Sequence, residues 1–260
     1  MTFVKVRDMA QEAARRGTLT SHQLAALGRL DEIIAQRLVD DERQEVTDLW
    51  RAAGSPAAPP PLQQPAPCPH GIAVPTTGGG WRLDGFPFFS QVDPADGPEG
   101  WRQCQTSAIA MALRFLKVPG INDDTDYLKV VRQFGDTAAH DTHRKALAKI
   151  GVRARFVQTC TVAKAQAEIK AGLPVVAGLL HRGPVSRPIG GGHFVALFGF
   201  DGGPKPAWHA HDPYGELDLV NGGWSREGNS SGRDQRYSHR NFNPRWLPEG
   251  PASGWAWLFS

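Results

Sequence analysis

Residues 101–111 read WRQCQTSAIAM, and the cysteine in that stretch is the first candidate for chemistry. Cys104 falls at the predicted start of a helix carrying Ile109, Met111, Ala112 and Leu113. A thiol there feels the positive end of the helix dipole, which favours its ionised, nucleophilic form. A buried cysteine packed as a small apolar group is the competing reading. A nucleophilic thiolate needs an imidazole to share its proton and later to protonate the leaving group. His193 is the most suggestive of the nine histidines, because it follows Gly190-Gly191-Gly192 and opens the apolar run HFVALFGF. Gly191 and Gly192, without side chains, would let a substrate backbone come close, although a glycine turn before a strand is also ordinary loop chemistry.

A third group usually orients such an imidazole. Asp212 ends the next apolar run, in HAHDPYGE. If the strands of His193 and Asp212 pair, both residues reach one rim of a sheet. Asp-Pro at a strand end is equally a common turn. The developing oxyanion needs donors. The backbone N–H of Cys104 is one candidate and the carboxamide of Gln91, in FFSQVD, is another. Gln103 is nearer in sequence, but its place before the helix can aim it elsewhere. His181, in LLHRGPVSRP, is a candidate for lining a substrate groove, with Arg182 and Arg187 placed to meet a carboxylate. A plain loop accounts for these three as well.

The elements that must position these residues follow from periodicity and breakers. Residues 1–53 read as helical, with Leu24, Leu27, Leu30, Ile34 and Leu38 at helical spacing. Residues 54–80, rich in Pro, Ala and Gly, read as a linker, with the three glycines at 78–80 as a tether. Residues 81–260 read as one mixed domain. WRLDGFPFFSQV suggests an entering strand; SAIAMALRFLKV, TDYLKVVRQFG, HDTHRKALAKIG and TVAKAQAEIKAG read as helices; VRARFVQT, LPVVAGLLH, HFVALFGF and PAWHAHD read as strands. Helices first and then mostly antiparallel strands is an α+β order.

The order Gln91, Cys104, His193, Asp212 resembles the C39-like branch of the papain-like cysteine peptidases. The matching stretches are FFSQVD, CQTSAIAMAL, HRGPVSRPIGGGHFVALFGF and HDPYGELDLVNGG, and the later YSHRNFNPRWL and GWAWLF resemble a phage-associated subset. The resemblance covers roughly residues 85–258. It implies a papain-like α+β fold, an N-terminal helical part packed on an antiparallel sheet, and a Cys104–His193–Asp212 triad. No cofactor and no metal is expected. Two departures stand out. Transporter-borne relatives have glycine where this chain has Gln105, and PADGPEGW intervenes between Gln91 and Cys104, so a loop insertion must bring Gln91 back. The resemblance points to a peptide substrate, with a stem or cross-bridge of peptidoglycan as the leading choice. Residues 1–53 would then contact a virion or cell-wall partner, or cover the groove as a pro-segment. Alternatives are a peptidase that processes a protein precursor, and a catalytically silent component of a phage particle.

Composition bounds these readings. The 260 residues are 40% hydrophobic and 21% charged, with a net charge of +3, so nothing electrostatic argues for a nucleic-acid partner. No stretch approaches the ~20 apolar residues of a membrane-spanning helix. The N-terminus lacks the apolar core of a secretory signal, which suggests cytoplasmic synthesis and release to the wall, or carriage in a virion, by other means. Cys68, Cys104 and Cys160 are too few for a disulfide framework; Cys160, at a strand end, reads as buried and Cys68 as inert. The pairs His209/His211 and His140/His143 have zinc-like spacing, but no third and fourth ligand converge on either. Trp224, Trp246, Trp255 and Trp257 read as core or rim packing, with a tryptophan-lined sugar site as the alternative.

Overall fold

The computed structural model describes residues 71–93, 99–228 and 230–260. The chain divides between Gln64 and Pro65 into two units, and the described residues belong to the second. The helices expected within residues 1–53, and the linker as far as residue 70, lie outside the described residues.

The elements follow in this order: β1 (Ala73–Pro75), β2 (Trp81–Leu83), a 3-10 turn (Gly100–Arg102), α1 (Cys104–Phe115), α2 (Asp124–Val131), α3 (His140–Lys149), β3 (Ala154–Cys160), α4 (Val162–Lys170), β4 (Val175–Leu179), β5 (His193–Asp201), β6 (Ala207–His211), β7 (Gly215–Leu217), β8 (Trp224–Glu227), β9 (Gln235–Ser238), α5 (His239–Trp246) and β10 (Gly254–Phe259). This is the α+β order expected. Eight strands form one antiparallel sheet, β1-β2-β5-β4-β10-β3, with β6 on the free edge of β5 and β9 beyond it; β7 and β8 make a separate hairpin.

β5 is the spine. Its residues are buried along its whole length, so it reads as a continuous apolar run. Alternate side chains still serve opposite faces. Phe194 and Ala196 pack with α1, α2 and α3, whereas Val195 and Leu197 pack with α4 and α5. Helices therefore cover both faces of β5. Trp246 and Trp257 are fully buried core residues, and Trp224 and Trp255 are half-buried.

α1 carries the candidate nucleophile, and its burial fixes it. Every residue from Gln105 to Leu113 is buried. Ile109, Met111 and Leu113 are each inaccessible, and burial of such a side chain contributes about 2 kcal/mol. The helix stops at Phe115 and not at the expected Val118, because Lys117 adopts a left-handed φ of 57° and the Val118 N–H closes on Leu113 O at 3.0 Å. Side-chain caps start the next helices where capping chemistry places them: Asp123 accepts from Asp126 N–H at 2.9 Å before α2, and Thr161 from Lys164 N–H at 3.0 Å before α4.

Two other expectations are corrected. The strand expected over WRLDGFPFFSQV is only Trp81–Leu83. Gly85 turns the chain at φ 68°, and Phe86, Phe88 and Phe89 pack into the core beside α1. The stretch 78–80 is a packed turn and not a tether. A Cβ on Gly80 would fall 1.8 Å from Phe200 O, so only glycine lets this turn lie on β5. The sheet accordingly begins at Ala73, inside the stretch that composition reads as linker.

Candidate active site

Cys104 is the first residue of α1, set directly behind the 3-10 turn and half-buried. Cys160, the other described cysteine, is buried, and burial first, then the charge of Glu168, pushes its thiol up to about 11. It is chemically inert beside Cys104.

His193 opens β5, and Asp212 immediately follows β6, its paired neighbour. The pairing brings both residues to one rim. His193 Nε2 donates to Asp212 Oδ1 at 2.7 Å, and the Cys104 thiol lies within hydrogen-bonding reach of the same imidazole. His193 is 3% exposed and Asp212 wholly buried. Burial alone would drive His193 towards the neutral form. The Asp212 charge and hydrogen bond, helped by Cys104, outweigh it and push the imidazole up to about 10. A charged imidazole facing a thiol is the arrangement that acyl-transfer chemistry requires.

Asp212 is held on all sides. Its Oδ1 also accepts from the backbone N–H of Tyr214 at 3.0 Å and of Gly215 at 3.4 Å, and its Oδ2 accepts from Tyr237 Oη at 3.2 Å. The Tyr237 hydroxyl in turn accepts from Leu217 N–H at 3.2 Å. The Asp212 N–H donates to Gly232 O at 2.9 Å, and a Cβ on Gly232 would come within 1.9 Å of Asp212 O. The chain must carry glycine there for Asp212 to sit where it does. Tyr237 and Gly232 were not legible as site residues, since they act through contacts across the sheet.

Gln91 is 1% exposed. The chain does loop back after it: Gln91 Nε2 donates to Gly100 O at 3.0 Å, and Gln91 N–H to Pro213 O at 2.9 Å. It thus ties the turn that leads into Cys104 to the residue after Asp212. One N–H of its carboxamide is committed to Gly100, and a carboxamide nitrogen carries two. Gln105 is buried and its Oε1 accepts from His140 Nδ1 at 3.1 Å, so the position that is glycine in transporter-borne relatives here anchors α3.

Gly191 is exposed with open space where a Cβ would stand, and Gly192 has a φ of 81°. His181 lies 6.1 Å from His193, ring centre to ring centre, and 4.9 Å from Trp224, whose indole meets His193 edge-on at 5.3 Å. Trp224, from the β7–β8 hairpin, was read as core or rim packing or as part of a sugar site; it stands beside His193 with His181. Three further histidines among the described residues have hydrogen-bonding partners. His143 bonds Tyr127 Oη at 3.1 Å and Thr137 O at 2.7 Å; His209 bonds Asp201 at 3.0 Å; His211 accepts from Asp234 N–H at 3.0 Å.

Residues 83–222 match the family model described as the Peptidase_C39 like family, more than half of the chain, and the chain belongs to that family. Cysteine peptidase is the class that this membership defines. A solved structure from Bacillus anthracis, of a protein assigned to the C39-like peptidases, is similar to the chain at 15% identity and a TM-score of 0.46, over 69% of this chain and 96% of that one. No curated protein matches the chain. Gly232 and Tyr237, which hold Asp212, lie beyond the matched residues.

Proposed function

We propose that the chain is a cysteine peptidase in which Cys104 is the nucleophile, His193 the acid and base, and Asp212 the group that orients and charges the imidazole. One observation carries this reading: His193 is bonded to buried Asp212 on one side and meets the Cys104 thiol on the other. In the proposed reaction the thiolate sulfur bonds to the amide carbonyl carbon and the carbonyl oxygen takes up the negative charge. The Cys104 N–H and the second N–H of Gln91 receive that oxygen. His193 passes its proton to the amide nitrogen, the C–N bond breaks, and the amine leaves. Water, giving its proton to His193, then attacks the thioester and frees the acid.

The substrate is a peptide stem or cross-bridge of peptidoglycan, cut by a lysin that acts at the cell wall or travels in a virion, with residues 1–53 aiding attachment. The likeness of YSHRNFNPRWL and GWAWLF to phage-associated sequences supports this choice. Purified muropeptides and a library of ordinary L-peptides, digested side by side, test it. New termini are expected in the muropeptide digest and none with Cys104→Ala. Cleavage confined to L-peptides after small residues would replace the wall substrate with a protein precursor. Muropeptide cleavage that persists in Cys104→Ala would remove Cys104 from the mechanism.

A further inference from the structure

The wall beside His193 holds hydrogen-bond donors that no protein group receives. Buried side-chain nitrogens and oxygens normally find partners. Most of those without one, among the described residues, belong to residues next to Cys104 (Gln91, Gln103, Gln105, Thr106) or next to His193 (His181 Nδ1, Trp224 Nε1). The second pair has a defined polarity. His181 Nε2 accepts from Arg182 Nε at 3.1 Å, so Nδ1 carries the ring proton. Burial, followed by the charges of His193 and Arg182, pushes His181 down to about 4, and the ring is neutral. Trp224 Nε1 can only donate. Two neutral N–H groups therefore wait for an acceptor on a wall that touches the general base.

Charge narrows what that acceptor is. Arg182 is exposed, and among the described residues its guanidinium has no carboxylate partner. The loop from His181 to His193 carries Arg182 and Arg187 and no acidic residue. Beneath it lies a third cation. Arg245, fully buried, donates to the carbonyls of Leu219, Leu180, Arg182 and Gly183 at 2.9, 3.0, 3.2 and 2.7 Å. Its hydrogen bonds go to neutral oxygens. Asp218, whose charge reaches it, is itself occupied by the backbone N–H groups of Val220 and Asn221 and the Asn221 amide. A carbonyl would satisfy the two neutral donors, and the arginines beside them favour an anion over it.

We propose that His181, Trp224 and Arg182 form a carboxylate subsite beside His193, and that the preferred substrate carries a free carboxylate close to the bond that is cut. The inference rests on the Cys104–His193 reading and adds the substrate's charge to it. The separation of 6.1 Å between the His181 and His193 rings is less than the reach of two extended residues, at about 3.5 Å each. The carboxylate therefore belongs to one of the two residues nearest the scissile bond.

Two alkylating reagents of similar size test this without a known substrate. Iodoacetate is an anion and iodoacetamide is neutral. Their rates with Cys104 are measured on the full chain at low salt, with the modified residue located by mass spectrometry and glutathione as the free-thiol reference. The iodoacetate-to-iodoacetamide ratio is expected to fall about threefold in Arg182→Gln, as removal of one nearby charge predicts, and to be retained in Arg182→Lys. Equal ratios in wild type and Arg182→Gln would overturn the subsite while leaving Cys104 as the nucleophile. An equal fall in both variants would assign the effect to lost packing and likewise overturn it. If Cys104 reacts with neither reagent faster than glutathione, the nucleophile reading fails and takes the subsite with it.

Discussion

Replacing Asp212 with asparagine is expected to move the alkaline limb of the pH–turnover profile from about 10 to below 6.5, the ordinary histidine value. Asparagine keeps the shape. Its Oδ1 still accepts from His193, Tyr214 N–H and Gly215 N–H, and its Nδ2 can donate to the Tyr237 hydroxyl oxygen. Only the charge is lost. The largest influence on His193 is burial, which lowers its proton affinity, and Asp212 is the main group that offsets it. Without that charge, burial wins. At about pH 8 an imidazole that titrates below the ordinary value is only a few per cent protonated. That alone costs some thirtyfold in a step that needs imidazolium, and looser orientation brings the expected loss of turnover to roughly a hundredfold. The measurement is a pH–rate profile on whichever peptide the wild type cleaves, with a thermal melt to show that the fold is kept. An alkaline limb that stays at the wild-type position would mean that Asp212 does not set the charge of His193.

The second large effect lies outside the reacting groups. Arg245→Met is expected to lower stability by about 4 kcal/mol, because methionine fills the space but leaves the carbonyls of Leu180, Gly183 and Leu219 without a donor, while Arg182 O keeps the Ile189 N–H at 2.8 Å. The guanidinium bonds to Leu180, Arg182, Gly183 and Leu219, and so staples the His181 loop to the turn before β8. For a domain of this size the loss corresponds to a fall of about 10 °C in melting temperature. Arg245→Lys, which can reach fewer of the carbonyls, should fall in between. A change under about 2 °C in Arg245→Met would show that water replaces the guanidinium at little cost.

Local chemistry was legible in the chain, and long-range packing was not. Cys104, His193 and Asp212 announce themselves by residue type, by breakers on either side and by the pairing of successive strands. The helices from α1 to α4 follow from apolar spacing and capping residues, and their ends differ where a backbone turn intervenes, as at Lys117. The strand expected over residues 81–92 shows the limit of pattern reading. Its Phe residues are partly buried, packed against the core beside α1 and not along a sheet edge. The glycines at 78–80 show the complementary limit: composition cannot tell a flexible glycine from one required by close approach to β5. Tyr237, Gly232 and Arg245 serve the site from the far end of the chain. Their roles depend on which strands and turns lie side by side, and single-residue chemistry does not encode that.

The pairing of Cys104 with His193 is tested most directly by the pH dependence of Cys104 alkylation. Wild type and His193→Ala are treated with limiting iodoacetamide across the pH range, and modification of Cys104 is quantified by mass spectrometry. A thiolate held by a charged imidazole predicts that wild-type Cys104 reacts at about pH 6 at least tenfold faster than a free thiol, whose ordinary value is about 8.5, and that His193→Ala abolishes the advantage. No advantage in the wild type, or one that survives in His193→Ala, would contradict the pairing on which the proposed mechanism stands.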